Sequence, residues 1–268
     1  MRRRQWIEIH EQAWFPRFLR DSVTDTLQFI INFWNLYKPV IPRLRRALEG
    51  AKTHQVVDLC SGAGGPWLRL LRAFEEEGNF PVDVRLTDKY PNLAAFEYAQ
   101  IASRHRIDFC ALPVEVTRVS PELEGFRTLF TSFHHFRPAD ARAILQDAVD
   151  HRQGIGIFEL PRRQPLTILL TLVVPVLALI FVPFVRPFRW SRLLWTYLIP
   201  LVPFVLLFDG IVSCIRTYSP AELGELLEEV SANEYQWDIG EERQGPLPVT
   251  ITYLIGLPSP PAKQNGRK

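Results

Sequence analysis

The apolar positions of this chain change period several times, and each change marks an element. Residues 55–60 form a short apolar run, the pattern of a buried strand, and 65–74 carry apolar positions at helical spacing that close near Gly78. Alternation over 82–88 predicts a second strand and therefore a βαβ unit. Helix patterns at 91–103 and 138–149, each with proline near its start, accompany strand patterns at 127–133 and 154–160. Strands alternating with helices predict the parallel-sheet α/β class. Near the end, Ser219-Pro220-Ala221-Glu222 reads as a capped helix start running to about Val230. Two strands follow at 235–239 and 249–255, and the loop between them, with Gly240, Gly245, Pro246 and Pro248, predicts antiparallel pairing. Upstream, Ser22-Val23-Thr24-Asp25 predicts a cap for a helix reaching Tyr37, and 42–49 a second helix ended by Gly50.

One stretch breaks this rhythm. From Gln164 to Val185 there are 22 residues without a charge, and after Arg186, Arg189 and Arg192 a further 16 uncharged residues run from Leu193 to Phe208. The first run is long enough to cross a hydrocarbon core of about 30 Å as a helix. Pro175, Pro183, Pro187, Pro200 and Pro203 each disfavour a straight rod, so a broken or re-entrant hairpin competes with two spanning helices and with a buried helical pair in a water-soluble domain. Both ends of the insertion join the same domain, and a full crossing would carry the three arginines to the far side, against the positive-inside tendency. A shallow hairpin on the cytoplasmic face, its arginines in the near headgroup layer beside membrane lipids, is therefore the expectation for residues 164–208.

Composition adds limits. The chain has 268 residues, 47% hydrophobic and 22% charged, which excludes disordered, collagen-like and coiled-coil classes. A net charge of +2 gives no polyanion signature, and no nucleic-acid partner is expected. Residues 1–52 hold ten Lys/Arg against five Asp/Glu, whereas 219–245 hold eight Asp/Glu against one Arg, so the amino-terminal region is the more basic surface. Arg2, Arg3 and Arg4 are followed by Glu8, His10 and Glu11 instead of an apolar run, so this stretch is not expected to act as a secretory signal. Cys60, Cys110 and Cys214 are odd in number and far apart, so neither a disulfide framework nor a structural zinc site is expected. The tail at 258–268 reads as disordered.

Chemistry concentrates after the first strand. Val56-Val57-Asp58-Leu59-Cys60-Ser61-Gly62-Ala63-Gly64-Gly65-Pro66-Trp67 has the composition of a strand, a tight glycine turn and a helix start, where a ligand can approach the backbone. As a dinucleotide GxGxxG fingerprint it fails, because the third glycine falls on Trp67. Asp88, with Tyr90 beside it, ends the second strand; its carboxylate can accept two hydrogen bonds from a vicinal diol, or it can serve as a helix N-terminal charge. His134 and His135 follow the strand at 127–133, and Glu159 ends the next, at the edge where open α/β sheets place ligands. A general base, a substrate-orienting residue and a hydrogen-bonded structural histidine are the readings of that pair. No metal site is expected there, because no acidic or cysteine partner lies nearby in sequence.

The segment resembles motif I of class I S-adenosylmethionine-dependent methyltransferases, with Asp58, Gly62 and Gly64 on the motif and Cys60 where a further glycine is commonest. It is similar to uncharacterised bacterial members that also read Asp-Leu-Cys-Ser-Gly, and in these the positions of Asp209-Gly210 and Arg216-Thr217-Tyr218 recur. The resemblance implies a Rossmann-like seven-stranded sheet with helices on both faces, the last strand inserted antiparallel. It implies S-adenosyl-L-methionine as cofactor, bound by Asp58, Cys60, Ser61, Gly62, Gly64, Asp88, Tyr90 and, at the adenine, Glu115; Glu115 can equally be a plain surface residue. His134, His135 and Glu159 become the acceptor-side candidates. The expected organisation is an N-terminal helical cap (1–50), a methyltransferase domain (51–163 and 209–257) and the apolar insertion (164–208). The expected activity is methyl transfer to a small, lipid-like or membrane-borne acceptor. A non-catalytic adenosyl-binding scaffold on the same fold, and more remotely a nicotinamide-dependent reductase, are the alternatives.

Overall fold

The computed structural model describes residues 2–78, 80–231, 234–243, 245 and 249–259. Among them, β1 (Gln55–Asp58), β2 (Asp83–Leu86), β3 (Ile107–Phe109), β4 (Phe126–Phe130), β5 (Ile155–Glu159), β6 (Tyr235–Arg243) and β7 (Thr250–Pro258) form one sheet. Its order is β3-β2-β1-β4-β5-β7-β6. The first five strands in that order pair parallel, and β7 runs antiparallel between β5 and β6. Chain order reverses between β1 and β4, so a crevice opens beyond their carboxyl ends.

The interior strands are short apolar runs because both faces are covered. Successive residues of β1 point to opposite sides: Val56 joins a core with α2 (Ile41–Ala51), α3 (Trp67–Glu76) and α4 (Leu93–Ala102), and Val57 joins one with α5 (Pro138–Asp150) and α10 (Pro220–Glu228). Arg127 interrupts the apolar run of β4 yet is buried, its guanidinium held by Asp147 of α5 at 2.6 Å. The reciprocal capping box of Ser219 and Glu222 starts α10 where the sequence pattern puts it.

One expectation needs correction. The first helix, α1 (Arg17–Phe33), starts at Pro16 and not at Ser22; the Ser22 hydroxyl donates to the Phe18 carbonyl inside the helix instead of capping it. Proline fixes φ near the helical value, so it starts the helix one turn earlier than the Ser-Val-Thr-Asp pattern suggests. The edge strand β3 is three residues long, too short to show alternation in sequence. The loop residues Pro246 and Pro248 and the tail beyond 259 lie outside the described residues.

The apolar insertion is a bent helical assembly. The helices α6 (Pro165–Thr171) and α7 (Val174–Phe181) lie within one apolar stretch, Pro165–Phe184, long enough to cross a membrane, with only 11% of its most apolar window buried. The chain returns through α8 (Trp190–Leu193) and a turn of π-helix, bends by 76°, and continues as α9 (Leu201–Arg216), which passes position 208 without a break. Val202, Val205 and Leu206 of α9 pack with Ala178 of α7 and with Phe15, Leu19 and Val23 at the start of the chain.

The arginines at the bend are not where the charge pattern puts them. Arg192 is buried and ion-paired with Asp25 of α1, and Arg189 pairs with Asp21 at 3.1 Å and donates to Asn92 Oδ1 at 3.2 Å. Two carboxylates of α1 hold these guanidiniums, and of the three arginines only Arg186 is exposed. This pins the bend to the body of the protein. Removing one partner of a buried pair strands the other charge at a cost of about 3–5 kcal/mol, whereas an apolar pair of similar volume can be neutral. Asp25→Asn should therefore lower stability in denaturant titration by about that amount, and Asp25→Leu combined with Arg192→Met should recover most of the loss. A single variant within about 0.5 kcal/mol of wild type would refute the anchoring role.

Candidate functional site

The glycine turn after β1 is built on left-handed backbone. Gly62 (φ +55°) and Gly64 (φ +100°) occupy conformations that favour glycine, and Cys60 takes one as well (φ +57°). A glycine at position 60 would take this conformation freely, whereas Cys60 takes it under strain. A Cβ on Gly64 would sit at ordinary contact distance from Leu86, Gln28 and Ala99, so a side chain there would be opposed by backbone conformation and would not fill a ligand site.

Asp88 supports the turn. Its Oδ2 accepts from the Gly62 amide at 2.8 Å and its Oδ1 from the Tyr90 amide at 2.7 Å. A carboxylate offers about four acceptor positions, so two remain for a ligand. The Arg20 guanidinium stacks over the Tyr90 ring at 4.1 Å, and Thr24 of α1 closes over Gly62. These groups border a cavity of about 450 Å³, a size that suits a small molecule or cofactor.

Of the residues predicted for a cofactor, Cys60, Ser61, Gly62, Asp88 and Tyr90 line this cavity. Asp58 does not; it lies beneath the turn, 1% exposed, accepting from the Thr128 hydroxyl at 2.6 Å. Burial pushes its carboxyl up to about 6, against the pull of that hydrogen bond. Glu115 lies apart from these: it is exposed, ion-paired with Lys89 at 2.7 Å, and outside the cavity lining, because the chain after β3 carries it into solvent. Trp67 is fully buried, its ring edge-on to Phe130 at 5.7 Å, and fills the space that a dinucleotide fingerprint leaves to a third glycine.

The other wall brings together distant parts of the chain. Glu159, at the end of β5, accepts from the Ser132 and Phe133 amides at 3.0 and 2.7 Å and holds His134 Nδ1 at 2.6 Å. Burial alone would raise this carboxyl, but His134 and the Phe133 amide hold it below the usual range. Glu159 therefore positions His134. His135 is partly exposed, with Nδ1 2.9 Å from Glu11 Oε2. No acidic partner lies near the histidines in sequence, but Glu8 and Glu11 reach them from the start of the chain.

The amino-terminal strap that carries them is tied down along its length. Arg3 donates to the Phe136 carbonyl at 2.8 Å and Gln5 to the His135 carbonyl at 3.0 Å. Asp209 of α9 accepts from the Ile9 and His10 amides at 2.7 and 3.0 Å and contacts His10 Nδ1 at 2.8 Å. Arg216 donates to Glu11 Oε1 at 2.6 Å and to the His134 carbonyl at 3.1 Å, and the Tyr218 hydroxyl donates to the Phe136 carbonyl at 2.8 Å. The Asp209 and Arg216-Thr217-Tyr218 positions thus hold the strap and the histidine turn together. Sequence reasoning missed Glu8, His10, Glu11, Arg20 and Tyr37 as cavity residues. The available signal was three titratable residues within four positions of an otherwise basic segment.

No protein-family model matches this chain, and no curated protein matches it in sequence. Solved structures do resemble it. It superposes with a TM-score of 0.54 and 14% identity on an O-methyltransferase from neocarzinostatin biosynthesis in complex with S-adenosyl-L-homocysteine and 1,4-dihydroxy-2-naphthoic acid, covering 90% of this chain and 58% of that one. Human N-acetylserotonin methyltransferase, in complex with S-adenosylmethionine, gives a TM-score of 0.50 at 13% identity, covering 94% of this chain and 59% of that one. The seven-stranded Rossmann-like sheet is the fold of S-adenosylmethionine-dependent methyltransferases. The chain spans under two thirds of the length of either neighbour.

The buried Asp58 generates a prediction. Its carboxyl titrates near 3.8 when unfolded and about 6 when folded. A raised folded value favours the protonated folded state, so this stabilising contribution is fully present below about pH 3.8 and lost as pH rises through 6. About two pK units correspond to roughly 3 kcal/mol. In urea titrations between pH 4 and 7 the wild type should lose roughly 3 kcal/mol more stability than Asp58→Asn as pH rises, and identical pH profiles would show that the carboxyl is not penalised by burial.

Proposed function

We propose that this protein is an S-adenosylmethionine-dependent methyltransferase acting on a small, apolar or membrane-borne acceptor with a hydroxyl nucleophile. The observation that carries the reading is the Asp88 carboxylate fastened to the Gly62 amide, with spare acceptor capacity, at the rim of a cavity whose opposite wall is a histidine–carboxylate cluster. The residues present fit the cofactor: glycines leave backbone uncovered, and Asp88 can accept from both ribose hydroxyls. When bound, S-adenosylmethionine supplies a methyl group already activated on a sulfonium. The protein's part is then positioning, exclusion of water and removal of the acceptor's proton. Cys60, Ser61, Gly62 and Tyr90 border the cofactor side, while α1 and the strap exclude water. His135, whose Nδ1 is backed by Glu11, is placed to take the acceptor's proton.

The apolar insertion supports attachment at the cytoplasmic face of a membrane. Leu169, Val176 and Ile180 are 59%, 52% and 54% exposed, and Trp190 is 77% exposed, a display that water disfavours and an interfacial layer accommodates. With Arg189 and Arg192 held by α1, the bend stays with the body, which suits a hairpin that dips into one leaflet. An acceptor drawn from that leaflet would reach the sheet edge along α9.

Two outcomes follow. By calorimetry, Asp88→Asn should weaken S-adenosylhomocysteine binding by about 1–3 kcal/mol, the range for hydrogen bonds to a charged acceptor, and equal affinity in variant and wild type would remove Asp88 from the site. After detergent-free lysis the wild type should sediment with membranes, and Leu169→Gln, Val176→Gln and Ile180→Gln together should release it with an unchanged melting temperature. Wild-type protein in the supernatant would overturn the attachment.

A further inference from the structure

The strap and histidine wall holds an imbalance of charge. Glu8, Glu11, Glu159 and Asp209 contact the imidazoles of His10, His134 and His135, and one guanidinium, that of Arg216, joins them by side-chain contact among the described residues. Within this group two buried atoms lack a hydrogen-bond partner: His134 Nε2 and Glu8 Oε2. Glu8 is 0% and His134 1% exposed, so water does not serve them. The His134 tautomer follows from its surroundings. With Nδ1–H donating to Glu159, the neutral ring has a bare lone pair at Nε2, 3.5 Å from the carboxylate oxygen Oε1 of Glu8. Glu8 Oε2 lies 3.4 Å from His135 Nδ1. Two lone-pair-bearing groups this close inside a protein need either a shared proton or a metal cation between them.

The spacing agrees with that requirement. The ligand atoms offered by Glu8, His134 and His135 lie within 4.8 Å of one another. Ligands about 2.0–2.2 Å from a shared ion stand about 3 to 3.5 Å apart, and one Glu8 oxygen lies 3.5 Å from His134 Nε2 while the other lies 3.4 Å from His135 Nδ1. The supporting contacts of a metal site are also present: Glu159 orients His134, and the Ser213 hydroxyl donates to Glu8 Oε1 at 3.1 Å.

We propose that Glu8, His134 and His135 bind a divalent transition-metal ion on the acceptor side of the cavity. Two imidazoles and one carboxylate suit zinc, manganese or iron(II) and leave open coordination positions. His135 Nδ1 now contacts Glu11; on metal binding through Nδ1 the ring proton sits on Nε2, and Glu11, no longer holding that hydrogen bond, becomes free to approach as a further ligand. Resting on the proposed function, an acceptor oxygen would occupy the open position facing the cavity, where the ion would ease loss of its proton.

The test uses untagged full-length protein stripped with EDTA and titrated with Zn²⁺ or Mn²⁺ by calorimetry, with metal content checked by mass spectrometry. One ion per chain with release of protons is expected. Glu8→Gln and His134→Gln should each abolish tight uptake, and the supporting variant Glu159→Gln should weaken it about 10–100-fold. Asp88→Asn should leave it unchanged, while S-adenosylhomocysteine binding should survive in Glu8→Gln. Circular dichroism establishes that each variant is folded; if Glu8→Gln is not, His135→Gln on the more exposed ring gives the same reading. Folded wild type that takes up no ion, or uptake insensitive to Glu8 and His134, would overturn the site. Ion uptake without S-adenosylhomocysteine binding would instead sink the methyltransferase reading and leave the metal site standing.

Discussion

Asp209 is a carboxylate inside an otherwise apolar helical segment, tolerated there only because its lone pairs are used. The amides of Ile9 and His10 and the ring of His10 use them, and in doing so they fasten the start of the chain to α9. That one interaction decides where Glu8 and Glu11 lie, hence what His134 and His135 face. Without it the histidines would open to solvent at the sheet edge, and the cavity would lose one wall.

The opposite wall depends on a different economy. There the backbone does the work: left-handed residues at 60, 62 and 64 curve the chain so that amides, not side chains, meet Asp88. α1 connects the two walls. It lays Thr24 on the glycine turn and Arg20 on Tyr90, receives Arg189 and Arg192 from the insertion through Asp21 and Asp25, and begins directly after the strap. The apolar excursion is held to the body by charge at its bend, through Asp21 and Asp25, and by apolar packing of α7 and α9 on Phe15, Leu19 and Val23.

The sheet was legible in sequence because each interior strand is a compact apolar run followed by turn residues, and Asp88 was legible because it ends such a run. The edge strand β3 was not, since three residues carry no period. The histidine pair was visible, but its carboxylate partners were not: Glu8 and Glu11 sit more than a hundred positions away, and only the tertiary fold joins them to residues 134 and 135. Glu115 failed for the opposite reason. Its order along the chain matched a family position, while its side chain found Lys89 in solvent. The arginines of the insertion were read by local charge against a membrane, and the competing carboxylates lay on a helix whose start the sequence pattern misplaced.

A crystal structure of the protein grown with S-adenosylhomocysteine tests the central claim most directly. Density for the adenosyl group is predicted in the cavity, with the ribose hydroxyls on the Asp88 carboxylate and the sulfur end directed toward His134 and His135. An adenosyl group bound elsewhere, or a cavity left empty at saturating ligand, would contradict it.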